Sequence, residues 1–278
     1  MKNEIIVVKY GGNAMINDSL KKAVIEDVVE ITQSGKQIVL VHGGGPEIDT
    51  MLRMAGITKR VVNGLRYTCE QTMNIVQMVL CGKINKELCA LILRQGGNAL
   101  GLCGIDGALL RARRISHDAD GKPLDLGLVG EITHVNTAFL YSLLQLSNES
   151  PCIPVISPVA FAEHEPPSSP GLNVNADTAA AKIAAALNAP AFILMTDVPG
   201  ILRDVNDEKS LIGTVNSDEL ETLRKQGILC GGMIPKTECC RLAIDGGVGE
   251  VRIIDGRVPH ALRIAVSGTA PIGTIVRK

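Results

Sequence analysis

Short apolar runs alternate along the chain with longer stretches in which apolar residues recur at helical spacing. The short runs predict strands, and the longer stretches predict helices. Strands that alternate with helices form mostly parallel sheets covered on both faces, so the pattern predicts an α/β fold. Predicted strands cover residues 4–9, 37–41, 99–103, 152–157, 191–196 and 250–255, and predicted helices include 20–31, 73–93 and 176–187.

Three segments depart from this alternation. Asn63-Gly64 stands between two β-prone runs, which predicts a hairpin with a type I′ turn. Turn residues interrupt short β-prone pieces over 111–133, which indicates a second hairpin or a small antiparallel patch. The segment 162–171, AEHEPPSSPG, is rich in proline and polar residues and is predicted to be a loop.

The composition excludes several classes of function. The 278 residues allow one large α/β domain or two lobes that share a sheet, and 46% hydrophobic with 21% charged residues is ordinary for a soluble protein. A formal net charge of −1 and only three Phe, three Tyr and no Trp argue against a nucleic-acid partner. No apolar run is long enough for a membrane span, and the amino terminus does not resemble a signal peptide.

The eight cysteines form neither a C-x-x-C pair nor a zinc-ligand spacing with histidine. Several stand in apolar contexts, where a reduced thiol behaves as a small hydrophobic group. We therefore expect a reduced, cytoplasmic protein.

Glycine-rich turns follow several predicted strands. The stretch HGGGPEID, residues 42–49, raises the question of what must approach this backbone so closely that side chains are missing. Gly11 and Gly12 follow the first strand, and Gly231 and Gly232 precede a helix. Ligands bind at the carboxyl ends of strands in such sheets, and free N–H groups at helix starts bind anions, so these turns indicate a phosphate site.

The two common nucleotide fingerprints are absent. The first strand is not followed by G-x-G-x-x-G, and none of the Gly-Lys pairs completes a P-loop. Charged candidates remain, each with an ordinary alternative. Lys9 ends a buried strand, where a lysine can also extend to solvent. Lys236 lies at a helix start, Asp177 can cap a helix, and Asp197 can form a turn.

Taken together, the motifs are more specific than any one of them. KYGGNA, HGGGPEID, NGLRYT, GLCGIDG, LVGEI, NVNADTAA, TDVPGIL, GGMIPK and IIDGRVPHAL occur in this order from residue 9 to residue 262. This series resembles the acetylglutamate kinase family of the amino-acid kinase superfamily and covers nearly the whole chain.

The resemblance implies an open, mostly parallel αβα sandwich in which two lobes share one central sheet. Residues 1–188 would form an amino-terminal lobe for the acyl substrate and for dimerisation, and 189–278 a carboxyl-terminal lobe for ATP. The implied reaction transfers the γ-phosphoryl group of ATP to the side-chain carboxylate of N-acetyl-L-glutamate, in arginine biosynthesis.

The resemblance also implies roles for individual residues. Lys9 and Lys236 would stabilise the transferring phosphoryl group, and Asp177 would hold both ammonium groups. Gly12 and Gly44 would present backbone N–H groups to the phosphate. Substrate-binding roles fall to Gly44, Gly45, Arg66 and Asn173, with Arg66 on the α-carboxylate.

The nucleotide pocket would be lined by two segments, and adenine would be held by aliphatic contacts because aromatic residues are scarce. Mg²⁺ is expected with ATP, mainly through phosphate oxygens and water. His42 is interpreted as a structural hydrogen-bonding residue. The implied nucleotide-binding residues are Asp197, Val198, Pro199, Gly200, Ile201, Leu202, Ile228, Leu229 and Cys230.

The chain departs from the arginine-inhibited members of the family. Its first strand begins by Glu4, and RIAVSGTAPIGTIVRK lacks the acidic residue expected near an arginine-sensing site. We therefore expect an arginine-insensitive homodimer. Two rival functions stay open at this point: a kinase for a carrier-protein-linked α-aminoadipate or glutamate, and a non-catalytic nucleotide-binding regulator of the same fold.

Overall fold

The computed structural model describes residues 4–118, 120–146, 151–166 and 168–278. The predicted loop 162–171 therefore includes one position, residue 167, that lies outside the described residues. Among the helices in the described ranges, none has both the length and the apolar character that crossing a membrane requires.

The six strands predicted from apolar runs lie close to their predicted positions, and 152–157 extends to residue 162. The strands are β1 (Ile5–Tyr10), β2 (Gln37–His42), β3 (Val61–Val62), β4 (Leu65–Arg66), β5 (Asn98–Gly104), β6 (Leu110–Arg114), β7 (Gly130–Val135), β8 (Cys152–Ala162), β9 (Leu172–Asn173), β10 (Ala191–Thr196), β11 (Thr214–Asn216), β12 (Glu250–Asp255) and β13 (Thr274–Arg277).

The helices cover both faces of the sheet, as the alternating pattern predicts. They are α1 (Asp18–Gln33), α2 (Gly45–Met54), α3 (Glu70–Gln77), α4 (Asn85–Arg94), α5 (Thr137–Leu144), α6 (Ala176–Ala186), α7 (Glu219–Lys225), α8 (Met233–Asp245) and α9 (Ala261–Ser267).

One central sheet carries most of the strands, in the order β11-β13-β12-β10-β1-β2-β8-β6-β7, and β5 and β9 also pair with β8. Strands β12, β10, β1, β2 and β8 run parallel, so their carboxyl ends meet at one edge. Val7 and Val8 of β1 are fully buried because this strand lies at the centre of the sheet. The predicted fold class is confirmed.

The helix predicted over 73–93 is interrupted by a π-helical segment, Met78–Ile84, between α3 and α4. Such segments alter the direction of side chains within a helix and are frequent at functional sites. The periodicity of apolar residues did not reveal it. Leu80 and Ile84 of this segment are buried against the turn that follows β2.

The hairpin prediction is confirmed. Val61 pairs with Arg66 and Val62 with Leu65, and Asn63 and Gly64 both have positive φ, 49° and 78°, as a type I′ turn requires. This hairpin forms a separate two-stranded sheet. The antiparallel patch predicted over 111–133 is also present, as the pair β6–β7.

Helix α6 contains a run of small residues, and Ala179, Ala180 and Ala181 are fully buried. Because alanine side chains are short, α6 can pack directly on α8. This packing brings the first turns of the two helices together, and each of these turns carries one of the predicted catalytic residues.

Candidate active site

Two lysines distant in sequence share one aspartate. Lys9 Nζ lies 2.9 Å from Asp177 Oδ1, and Lys236 Nζ lies 3.9 Å from Asp177 Oδ2. Lys9 comes from the carboxyl end of β1, Asp177 from the first turn of α6 and Lys236 from the first turn of α8. The side chains are 12%, 14% and 25% exposed, so the three charges are partly shielded from water.

The helix cap at this position is not Asp177. The Asn175 side chain accepts hydrogen bonds from the backbone N–H groups of Asp177 and Thr178, at 2.9 and 3.1 Å. Asn175 therefore caps α6 and leaves the Asp177 carboxylate available to the lysines. The motif NVNAD marks this helix start, but its second asparagine was not predicted to be the cap.

A cavity of about 740 Å³ opens beside this cluster. Its wall brings together the turn after β1, the start of α2, the hairpin, the π-helical segment and the start of α6. The charged side chains that line it are Lys9, Lys21, Glu47, Arg66, Lys83, Glu87 and Asp177. Four of these seven are cationic and three anionic, so the lining carries a net charge of +1, which suits an anionic ligand.

The structure shows what approaches the glycine turns so closely. Gly12 has φ +72°, and a Cβ there would lie 2.7 Å from the carboxylate carbon of Asp197. A Cβ at Gly44 would lie 2.6 Å from Leu80 Cδ2 and would also collide with Ile84. A side chain at Gly12 would be strained by the positive φ and would meet Asp197, and a side chain at Gly44 would force Leu80 and Ile84 to shift. Contacts within the protein therefore favour bare backbone at both positions.

Gly45 differs from Gly44, since a Cβ at Gly45 would have no described atom within 4 Å. Gly44 precedes α2, and Gly45 is the first residue of that helix. Both line the cavity, so the amino-terminal end of α2 faces it. Free N–H groups and the helix dipole make this end favourable for an anion.

Arg66 and Asn173 also line the cavity. The Arg66 side chain is 13% exposed, forms an ion pair with Asp49 through Nη2 and donates weakly from Nη2 to the Gly45 carbonyl at 3.5 Å. Its Nη1 is buried, and no partner for it exists among the described residues. Asn173 Nδ2 donates to Thr68 Oγ1 at 3.1 Å, which fixes the amide beside the same wall.

The residues predicted to bind the nucleotide lie outside the lining of this cavity. We call 197–202 and 228–230 the C-terminal strip. Asp197 follows β10 at the same sheet edge as Lys9 and contacts Gly12 closely. Ile201 and Leu229 are buried in the core, 1% and 4% exposed, so their side chains do not face solvent. The exposed side chains of the strip are those of Val198 and Cys230.

His42 is fully buried at the end of β2. Its Nε2 pairs with Asn85 Nδ2 at 3.2 Å, and its Nδ1 lies 2.9 Å from the Gly43 carbonyl oxygen. Burial lowers the pKa of His42 to about 4, so the imidazole is neutral near pH 7. These contacts agree with a structural role for the residue.

Several charged residues of this region were not predicted from the sequence. Lys21 Nζ pairs with Glu87 at 2.6 Å, and Lys83 pairs with Glu47, with all four side chains on the cavity wall. No local pattern could reveal the Lys21–Glu87 pair, because its members are 66 residues apart. Glu47 did lie within a motif, HGGGPEID, and its partner is also distant in sequence.

The part of the chain that the structure describes contains no group of three or more His, Cys, Asp or Glu side chains that could hold a metal ion. All eight cysteines are described, and all are free thiols. The polar groups that line the site include lysines, an arginine, carboxylates, asparagine amides and the backbone amides of the glycine turns.

The sequence that forms this fold and site matches a known protein family. Residues 4–255 match the model of the amino acid kinase family. The chain belongs to this family.

Within the family, the chain is similar to curated enzymes named acetylglutamate kinase. One from Clostridium kluyveri is 47% identical over 99% of this chain and 93% of its own length. One from Clostridium beijerinckii is 46% identical over 99% of this chain and 92% of its own length. The family resemblance seen in the motifs is thus confirmed.

The fold has a solved counterpart in N-acetylglutamate synthase from Neisseria gonorrhoeae, in complex with coenzyme A and N-acetyl-glutamate. The TM-score is 0.82 at 23% identity, over 99% of this chain and 59% of the synthase chain. This similarity concerns the fold alone.

Proposed function

We propose that this protein is an N-acetyl-L-glutamate kinase, which transfers the γ-phosphoryl group of ATP to the side-chain carboxylate of N-acetyl-L-glutamate. The observation that carries the proposal is the cluster of Lys9, Asp177 and Lys236, of which Lys9 and Asp177 line a cavity of about 740 Å³. Relatives of nearly equal length that are named for this activity support it.

The chemistry requires positioning and charge stabilisation and no general base. The acceptor carboxylate is already an anion and attacks phosphorus as the bond to ADP breaks. Negative charge then accumulates on the transferring group between two anions. Lys9 and Lys236, which reach it from different elements, stabilise this charge. Asp177 holds both ammonium groups in place and offsets their mutual repulsion.

Backbone amides complete the phosphate site in this proposal. The turns at Gly12 and Gly44 supply N–H donors, and the amino-terminal end of α2 supplies a favourable dipole. The tight contacts of Gly12 with Asp197, and of Gly44 with Leu80, fix both turns before any ligand arrives. Such preorganised donors need no rearrangement during the reaction.

The acyl substrate lies along the cavity wall. Arg66 binds the α-carboxylate through its unpaired Nη1, since a buried guanidinium N–H without a partner requires an acceptor. Asn173 hydrogen-bonds in the same region, and Gly45 leaves open space for the substrate. All cavity residues precede residue 188, in line with an acyl-substrate lobe at 1–188.

ATP binds in the remaining part, 189–278, against the C-terminal strip, and its phosphates extend toward Lys236. The family supports ATP as the phosphoryl donor. Mg²⁺ accompanies ATP through its phosphate oxygens and water, because the site described offers lysines and amides near the phosphates rather than a cluster of ligands. A homodimeric assembly, a cytoplasmic location and insensitivity to arginine belong to the same proposal.

Trapping of the acyl phosphate with hydroxylamine tests the proposal. Purified protein with Mg-ATP and N-acetyl-L-glutamate should yield the hydroxamate, and free L-glutamate should yield much less. A kinase for carrier-protein-linked substrates would phosphorylate the linked acceptor and use the free one poorly. Absence of hydroxamate with every acceptor, together with retained ATP binding, would identify a regulator and refute the proposal.

A further inference from the structure

Arg66 is connected to a carboxylate that does not itself line the cavity. Asp49, in the second turn of α2, forms an ion pair with Arg66 Nη2 and accepts from Lys59 Nζ at 2.8 Å. Asp49 and Lys59 border a separate surface groove, which Arg66 does not line. Asp49 therefore contacts the substrate-facing arginine without reaching the cavity.

The hairpin that carries Arg66 has little structure of its own. Strands β3 and β4 contain two residues each and form a sheet separate from the central one. An isolated two-stranded hairpin is marginal in water, so its position depends on ties to its surroundings. Lys59 lies just before β3 and Arg66 lies in β4, so Asp49 ties both sides of the hairpin to α2.

The charges of this group also suit the proposed ligand. Burial raises the pKa of Asp49, but hydrogen bonds from Lys59 and Arg66 outweigh burial and hold it below its ordinary value. Asp49 is thus ionised near pH 7. Asp49 together with Lys59 and Arg66 carries a net charge of +1. This positive charge attracts a carboxylate in the cavity.

We propose that Asp49 is a positioning residue that engages Nη2 of Arg66 and so keeps Nη1 available for the substrate carboxylate. This inference rests on the proposed function for the identity of the ligand. Asp49 occupies one side of the guanidinium group, and the buried, unpartnered Nη1 remains for the ligand. Lys59 offsets the charge of Asp49, so that Arg66 keeps its attraction for an anion.

Asp49→Asn tests the inference with little change in shape. The variant should bind N-acetyl-L-glutamate about tenfold more weakly by calorimetry, since it loses the ion pair that orients Arg66. Its KM for this substrate should rise equally, while kcat stays within about twofold and KM for ATP is unchanged. Lys59→Met removes the offsetting charge and the hydrogen bond to Asp49 but leaves the Asp49–Arg66 ion pair, so it should raise the same KM only about two- to threefold.

Glu250→Gln is the matched control. Glu250 likewise bridges two cations, Arg252 at 2.6 Å and Arg277 at 2.8 Å, but lies at the start of β12 and away from the cavity. It should leave both KM values unchanged. Thermal unfolding of all variants shows whether any of them is globally destabilised.

The outcomes separate the inference from the proposed function. If wild-type protein forms the hydroxamate and Asp49→Asn keeps the wild-type Kd and KM, the inference is wrong and the function stands. If wild-type protein does not bind N-acetyl-L-glutamate, the function is wrong, and a crystal structure of Asp49→Asn decides the inference. A displaced Arg66 would support it, and an unmoved Arg66 would overturn it.

Discussion

The cavity and the C-terminal strip differ in how firmly contacts within the protein fix their side chains and backbone. Around the cavity, charged side chains are paired and partly buried, and the glycine turns are held by Leu80, Ile84 and Asp197. In the strip, Val198 and Cys230 are exposed, and Ile201 and Leu229 serve the core. A surface that aligns reacting atoms needs fixed geometry, whereas one that holds a large nucleotide can rely on apolar contacts and backbone groups.

The largest effect is expected from the two lysines that share Asp177. Lys9→Met and Lys236→Met should each lower kcat about 10²- to 10³-fold, because each removes a charge felt most strongly in the transition state. Single-turnover hydroxamate formation measures this loss. The exposed Lys22, on the same chain and 69% exposed, supplies the control Lys22→Met, which should keep wild-type kcat. A fall in substrate affinity with unchanged kcat would contradict the assigned role.

Burial of the His42 imidazole makes the stability of the folded protein sensitive to acid. The unfolded chain takes up a proton on this histidine near pH 6.5, and the folded protein resists protonation down to about pH 4. Stability is therefore lost as pH falls through this window. From pH 7 to pH 4.5, His42 should account for about 2–3 kcal/mol of the lost unfolding free energy. In His42→Gln, urea unfolding at the two pH values should differ by that much less, and an equal pH dependence would refute the assignment.

The two neighbouring glycines separate packing from binding. Gly44→Ala should lower the unfolding free energy by about 1–3 kcal/mol, because the added methyl group meets buried Leu80 and Ile84. Gly45→Ala should change stability by less than about 0.5 kcal/mol and raise KM for the acyl substrate several-fold. Urea unfolding and steady-state kinetics check both. Equal losses of unfolding free energy in the two variants would show that the close contact at Gly44 does not affect stability.

On the C-terminal strip, Val198→Asp should affect nucleotide binding alone. The Val198 side chain is 36% exposed. A carboxylate there would repel the nucleotide phosphates, and losing its hydration against the adenine ring would cost free energy. KM for ATP should rise about tenfold, with KM for N-acetyl-L-glutamate unchanged. Val205, 73% exposed and outside the strip, supplies the control Val205→Asp. If only the KM for the acyl substrate rose, the assignment of the strip to nucleotide binding would be wrong.

The comparison also explains which features the sequence could predict. The order of strands and helices followed from periodicity, because burial imposes it on every element. Lys9, Asp177 and Lys236 were found as motif residues, and packing of α6 on α8 then brought two of them together. The π-helical segment was missed, because it differs from an α-helix in its backbone hydrogen bonds, which the spacing of apolar residues over seven positions does not reveal.

Other features depend on contacts that no local pattern encodes. A side chain at Gly44 would meet Leu80 and Ile84, which stand about 40 residues further along the chain. Asp49 stood inside a motif, but its partners belong to a hairpin whose docking is a tertiary event. Asn175 could have been found, because asparagine just before a helix is a strong capping signal.

The central claim is that Lys9 and Lys236 act as one unit on the transferring phosphoryl group. Single-turnover rates of Lys9→Met, Lys236→Met and the double variant test it most directly. Groups that act together are non-additive, so the double variant should be at most about tenfold slower than the slower single variant. Fully multiplicative losses would show two independent sites of action, and a single variant with the wild-type rate would remove that lysine from the mechanism.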